Sequence, residues 1–273
     1  MKKILVFGSN GMLGSQLINQ LNQIDHLDLY YTSRSLKNGS NNEIKFTIEN
    51  NNEFDFKFLD NFDYIINCIG IVKPVIDKDY INSIIVNSLF PHSLSNYCKS
   101  KKIKLIHITT DCVFSGKKGK YLENDVHDCD DFYGKSKSIG EPNNCMVIRT
   151  SIIGYEIKNF YSLISWILSN KNGEVNGFTN HYWNGTTTNY LSKIILNIIE
   201  NDRYLEGLFH IYSPDDISKF NLLKLVNSKL NLNIKINQVE ANESIDRTLR
   251  SINDLSGLVC KLTIEDQIKQ MTK

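Results

Sequence analysis

Apolar residues along the chain come in short runs separated by glycine and polar turns, and the runs alternate with stretches of helical spacing. Residues 4–7 (Ile-Leu-Val-Phe) form the first run, as a strand buried on both faces would. Leu17, Ile18 and Leu21 then recur at helical spacing. Further strands are predicted at 27–31, 43–48, 64–69, 104–109 and 146–150, with helices between several of them, including 82–98 and a segment from Phe132 onward. This alternation predicts an α/β fold, a doubly wound parallel sheet with ligands at the carboxyl ends of its strands. Beyond residue 150 the pattern changes. Residues 172–188 are rich in Gly, Asn and Thr and read as a loop region turning Phe178, Tyr182 and Trp183 toward a ligand. A helix at 190–199, a strand at 207–212, an amphipathic helix at 219–230 and a polar helical tail follow. Residues 1–150 and 187–212 are read as the main domain, and 151–186 with 213–273 as a smaller substrate-binding region.

Gly8, Gly11 and Gly14 stand between the first strand and the first helix, the context that a dinucleotide fingerprint requires. Such a turn lets backbone approach a pyrophosphate while the helix start offers free amides, so Gly8, Asn10, Gly11, Met12, Leu13 and Gly14 are the candidate cofactor residues. The second strand ends in Ser33 and Arg34, with no acid to grip a ribose 2′-hydroxyl. A guanidinium there matches a 2′-phosphate, which favours NADP(H) and still admits NAD(H). The fourth strand ends in Cys68, Ile69 and Gly70, where glycine brings backbone close to the cofactor. Asn87, on the helix that follows, reads equally as a brace for the catalytic strand or as a surface amide.

A hydride source gives meaning to Tyr133 and Lys137, four apart and so on one helix face. An ammonium beside a phenol lowers its pKa and makes it a better proton donor, and Thr110 at a strand end can hold a carbonyl oxygen. Together they suit reduction of a ketone. The spacing by itself is weak, since roughly one such pair arises by chance in a chain with 13 tyrosines. Tyr97 and Lys101 repeat it, and they read as an ordinary helix end with cations in its last turn.

Composition narrows the class. A net charge of +1 leaves no electrostatic footprint for nucleic acid. No apolar leader opens the chain and no run approaches membrane-spanning length, so no membrane partner is expected. Six cysteines without Cys-x-x-Cys or a zinc-like grouping suggest a reduced, cytoplasmic protein with no metal site.

Four motifs together carry a family resemblance: Gly-x-x-Gly-x-x-Gly at 8–14, Ile-Asn-Cys-Ile-Gly at 66–70, Thr-Thr-Asp-Cys-Val-Phe-Ser-Gly at 109–116 and Tyr-Gly-Lys-Ser-Lys-Ser-Ile-Gly-Glu at 133–141. With Arg-Thr-Ser-Ile-Ile-Gly at 149–154 and Gly-Phe-Thr-Asn-His-Tyr-Trp-Asn-Gly-Thr-Thr at 177–187, the chain resembles extended short-chain dehydrogenases/reductases, and more narrowly the dTDP-4-dehydrorhamnose reductases. The resemblance implies a Rossmann-like fold and NADPH-dependent reduction of the C4 ketone of a dTDP- or UDP-linked 4-keto-6-deoxyhexose. In that reading Tyr133 gives the proton, Lys137 holds the nicotinamide ribose, and Thr110 binds the carbonyl. Asp111, Cys112, Lys73, Asn180 and Trp183 are the substrate-side candidates, Lys73 for the diphosphate. The resemblance also admits a homodimer. The sequence departs from the usual reductase pattern at Cys112, where that pattern has Tyr. A Cys at this offset serves as base in GDP-fucose epimerase-reductases, so Cys112 reads as packing or as a second base. A reading of another class is a non-catalytic NADP-binding regulatory subunit, the role that a reductase-like fold has in methionine adenosyltransferase.

Overall fold

The structure, a computed structural model, describes residues 1–36, 41–48, 54–76, 78–158 and 160–272. The first half runs β1 (Lys2–Phe7), α1 (Met12–Leu21), β2 (Leu27–Ser33), β3 (Glu43–Lys45), β4 (Tyr64–Asn67), α2 (Lys73–Ile76), α3 (Tyr80–Ile84), α4 (Phe90–Lys101), β5 (Lys104–Thr110), α5 (Phe132–Ile139) and β6 (Met146–Thr150). The second half continues with β7 (Ile152–Ile153), α6 (Leu163–Ser169), β8 (Glu174–Phe178), β9 (His181–Trp183), β10 (Thr186–Thr187), α7 (Thr188–Glu200) and β11 (Gly207–His210). It closes with β12 (Ile217–Ser218), α8 (Lys219–Leu230), β13 (Lys235–Val239), β14 (Ile245–Asp246), α9 (Leu255–Val259) and α10 (Ile264–Met271).

Seven strands form one sheet in the order β3-β2-β1-β4-β5-β6-β11, parallel throughout. Alternate residues of each strand feed opposite faces, as the pleat requires. Ile4 and Val6 join Leu17 and Leu21 of α1 and Ile195 of α7, whereas Leu5 and Phe7 join Phe90 and Leu94 of α4. Burial on both faces is why these strands read as continuous apolar runs. The order reverses between β1 and β4, where doubly wound sheets open a crevice for ligands. β4 is shorter than the apolar run suggests. The Asn67 side chain accepts the Ile69 N–H at 3.0 Å, which turns the chain out of the sheet after Asn67.

Of the differences from the sequence reading, the strands within 172–188 and the buried tail share one cause, partners far away in the chain. The 172–188 stretch contains β8, β9 and β10 in place of a plain loop: β8 pairs with β13, β9 with β12 and β14, and β10 with β7. The helix predicted at 82–98 extends through α3 and α4, joined by a π-helical turn at Ile85–Leu89. The polar tail buries one face of α10, where Ile264 and Ile268 pack with Ile164, Val175, Trp183, Leu222 and Val226 in a core separate from the sheet. The predicted 207–212 strand stops at His210. All six cysteines are unpaired, and among the described residues no helix is long and apolar enough to cross a membrane.

Candidate active site

The glycine turn sits at the carboxyl end of β1. Gly8 has φ +84°, and a Cβ there would also press on the Cys68 and Ile69 backbone at 3.2 Å. A Cβ on Gly14 would lie 2.2 Å from the Gly8 carbonyl oxygen, so helix and turn touch through bare backbone. Gly11 caps α1 without a side-chain hydrogen bond, and no acid stands in its first turn. The first amides of α1 therefore keep their dipole free for an anion, and the cradle fits a dinucleotide pyrophosphate. Leu13 turns its side chain into the core, leaving its backbone to the turn. β2 is stitched to the same turn, since Ser9 N–H donates to the Thr32 carbonyl at 3.3 Å. Arg34 extends exposed from that strand end. Buried Glu43 of β3 accepts from Ser33 Oγ at 2.5 Å, tying the end of β2 to its neighbour.

Thr110 ends β5 and caps the short turn Asp111–Val113, its hydroxyl accepting the Cys112 N–H at 3.1 Å and lying 3.2 Å from Asp111 Oδ1. α5 begins at Asp131, whose carboxylate accepts the Gly134 N–H at 2.8 Å and pairs with Lys73 Nζ at 2.8 Å. A Cβ on Gly134 would meet the Cys112 carbonyl oxygen at 2.4 Å, so α5 lies directly on the turn behind Thr110. This packing brings Tyr133 to Thr110. Burial of the Tyr133 hydroxyl raises its pKa above the ordinary tyrosine range, Cys112 adds to the rise, and Thr110 offsets part of it. The phenol is thus held protonated. Lys137, one turn on, faces Gly70, with Nζ 3.2 Å from where a Cβ on Gly70 would stand. Burial lowers Lys137 to about 8, only partly countered by Glu141 and Cys68. Among the described residues no carboxylate lies within 4 Å of it. The ammonium is therefore present below about pH 8 and lost above it. NADPH affinity, followed by fluorescence titration, is expected to fall as pH rises through about 8, and Lys137→Arg to remove that dependence.

Helix α5 is gripped along its length. Asn87 is fully buried, bonding Ile71 N–H at 2.8 Å, Ile71 O at 3.0 Å and Ser136 Oγ at 3.1 Å. It ties the loop after β4 to α5 from behind, which excludes the surface-amide reading. Past α5, Glu141 accepts from Arg149 Nε at 3.1 Å and from Arg149 Nη2 at 2.6 Å. Arg149 is fully buried and also donates to His127 Nε2 at 2.6 Å and to His210 Nε2 at 2.8 Å. A guanidinium only donates, so both imidazoles accept at Nε2 and carry their proton on Nδ1. His127 Nδ1 then donates to Ser138 Oγ of α5 at 2.5 Å, and His210 Nδ1 to the Arg250 carbonyl at 2.7 Å.

The substrate-side predictions divide. Asp111 is buried, and burial raises its carboxyl against the pull of Arg247 and Lys219. Cys112 is pushed up to about 12 by burial, with Asp111 adding to the rise. Trp183 is buried and its ring lies 5.6 Å from Lys219 Nζ. Asn180 is engaged elsewhere: Nδ2 donates to the Ala241 carbonyl at 2.8 Å and Oδ1 accepts the Ala241 N–H at 3.0 Å. Lys73 serves the start of α5 through Asp131. Tyr97 and Lys101 bond Asp60 at the far end of the sheet, apart from this site. Lys219 and Arg247 escaped the sequence reading, since each belongs to a short strand junction whose partners lie far along the chain.

The model of the RmlD substrate binding domain matches residues 1–266. The Bacillus subtilis spore coat polysaccharide biosynthesis protein SpsK is 22% identical over 259 residues, covering 92% of this chain and 87% of that protein. The zebrafish (Danio rerio) methionine adenosyltransferase 2 subunit beta is 28% identical over 141 residues, 47% of this chain and 44% of that protein. The crystal structure of dTDP-4-dehydrorhamnose reductase from Bacillus anthracis in complex with NADP superposes with a TM-score of 0.79 at 21% identity, covering 99% of this chain and 98% of that one. The match over nearly the whole length, on a sheet and glycine turn of this form, places the chain in the RmlD substrate binding domain family, within the extended short-chain dehydrogenases/reductases.

Proposed function

We propose that this protein uses NADPH to reduce the C4 ketone of a nucleotide-linked 4-keto-6-deoxyhexose during synthesis of a glycan precursor. The observation that carries the reading is the convergence of Thr110, Tyr133 and Lys137 beside the glycine turn of β1. The turn at residues 8–14, Ser33 and Arg34, residues 68–70 and Lys137 would hold the cofactor, which supplies the hydride. Thr110 orients the carbonyl oxygen, and Tyr133, kept neutral by its enclosure, gives that oxygen its proton. Lys137, buried without a carboxylate partner, is free to bind ribose hydroxyls. Asn87 and the Arg149 cluster fix the helix that carries both side chains.

Exposed Arg34 suits a 2′-phosphate, and the Bacillus anthracis reductase was crystallised with NADP; both support NADPH as reductant. The role of SpsK in spore coat polysaccharide synthesis supports a glycan destination. A one-step reduction is favoured over epimerisation because burial, with Asp111 adding to it, pushes the Cys112 thiol up, away from the thiolate that a base requires. Likeness to the adenosyltransferase subunit favours a regulatory role, against which stands the complete Thr110, Tyr133 and Lys137 set. A panel of dTDP- and UDP-linked 4-keto-6-deoxyhexoses with NADPH in deuterated water separates these readings. NADPH consumption with no solvent deuterium at C3 or C5 is expected. Deuterium at either carbon would make Cys112 a base, and silence across the panel with tight NADPH binding would favour the regulatory subunit.

A further inference from the structure

Thr110 has one hydrogen to give, and two oxygens compete for it. A hydroxyl carries a single donor and two acceptor lone pairs. One lone pair already takes the Cys112 N–H at 3.1 Å. Asp111 Oδ1 lies 3.2 Å from the same oxygen. An ionised carboxylate only accepts, so in that state the Thr110 hydrogen turns to Asp111. A ketone arriving beside Tyr133 would then meet a Thr110 oxygen with no hydrogen to offer.

A proton on Asp111 reverses this arrangement. The acid then donates to the second lone pair of Thr110 Oγ, and the Thr110 hydrogen is released toward the ketone. The surroundings decide how readily Asp111 holds that proton. Its residue is only 4% exposed, and burial raises its carboxyl. Arg247, Lys219 and hydrogen bonding with Thr110 and Cys112 pull the other way. Among the described residues neither cation lies within 4 Å of the carboxylate, so no ion pair holds it charged. Tyr133 of α5 and the Cys112 thiol also face it, and its charge makes both harder to ionise. An enclosed carboxylate without a paired cation is costly, and protonation removes that cost.

We propose that Asp111 is a positioning residue for the reduction: its protonated carboxyl donates to Thr110 and so turns the Thr110 hydrogen to the substrate ketone. This rests on the function proposed above. The proton stays on Asp111 throughout, and Tyr133 remains the donor to the product oxygen. The hydroxyl is presented below the Asp111 titration and withdrawn above it, so turnover is lost as pH rises through that titration.

The test is kcat across pH for wild type, Asp111→Asn, Thr110→Val and the double variant, at saturating 4-keto sugar. Saturating NADPH keeps the loss of the Lys137 charge near pH 8 out of the comparison. Wild-type kcat is expected to fall by about 10²-fold across the Asp111 titration, the usual effect of losing one donor to a developing oxyanion. An asparagine amide donates to Thr110 as the protonated acid does, so Asp111→Asn should lose this limb and overtake wild type at higher pH. Thr110→Val should be slow at every pH and lack the limb. Adding Asp111→Asn to it should change nothing further, because Asp111 acts only through Thr110. An inactive Asp111→Asn that still binds NADPH, or one with the wild-type profile, would overturn the proposal. If that variant fails to fold, Thr110→Val answers alone, and a limb that survives in it overturns the proposal. Infrared difference spectra of the NADP complex, wild type minus Asp111→Asn, separate this from the reaction itself. A carboxyl titrating above the ordinary aspartate range, with no 4-keto sugar reduced, leaves the Asp111 proton standing and fails the reaction. Turnover with a carboxyl that titrates in the ordinary range fails Asp111 and leaves the reaction.

Discussion

Tyr133→Phe is expected to lower kcat by about 10²–10⁴-fold, the usual contribution of a positioned general acid, while NADPH binds as before. Phenylalanine keeps the ring and the packing of α5 and removes only the hydroxyl that faces Thr110. The cofactor cradle is built elsewhere, on Gly8, Gly11, Gly14 and the loop at Gly70, so its affinity should not move. Comparing kcat by nicotinamide absorbance with NADPH affinity by fluorescence separates the two effects. A variant that turned over near the wild-type rate would remove Tyr133 as the donor. Loss of NADPH binding in parallel would show that the phenol holds the cofactor rather than the proton.

The largest structural effect is expected at Glu141. Its carboxylate is the one anion bonded to Arg149 among the described residues, and the Arg149 side chain has no solvent exposure. Glu141→Ala leaves a buried guanidinium facing two imidazoles that must stay neutral to accept its hydrogen bonds. Removing one partner of a buried ion pair costs about 3–5 kcal/mol. In a domain of this size that corresponds to a fall in Tm on the order of 10 °C, measurable by thermal denaturation. Activity should fall as well, because Glu141 also supports the charge on Lys137 from one turn away. The pH limit on NADPH binding should therefore move to lower pH in this variant. An unchanged Tm would mean that the Arg149 cluster is better hydrated, or more tolerant, than its burial implies.

What could be read from the sequence follows the range of the interactions. The apolar runs of β1, β4, β5 and β6 were legible because a strand covered on both faces declares itself without knowledge of its neighbours. The glycine turn was legible because each glycine answers a local demand: positive φ at Gly8, bare contact at Gly14. Tyr133 and Lys137 were legible as a pair only through Thr110 and the turn. Their electrostatics were not, since burial raises Tyr133, with Cys112 adding to the rise, and no spacing reveals how deeply a side chain is enclosed. Nothing local marks β8 as a strand; its partner β13 comes about sixty residues later. Asn180 has the amide of a ligand-binding residue, yet the chain at Ala241 folds back to claim it. Arg247 and Lys219 reach the site from strand junctions more than a hundred residues after Thr110, and no spacing connects them.

The central claim is a hydride delivered to C4 and a proton delivered to its oxygen. It is tested most directly with NADPH carrying deuterium at the transferable C4 position of its nicotinamide, given to the wild-type protein with a 4-keto-6-deoxyhexose nucleotide. The product should carry one deuterium, on sugar C4. Turnover that left C4 unlabelled, or placed the label at another carbon, would contradict it.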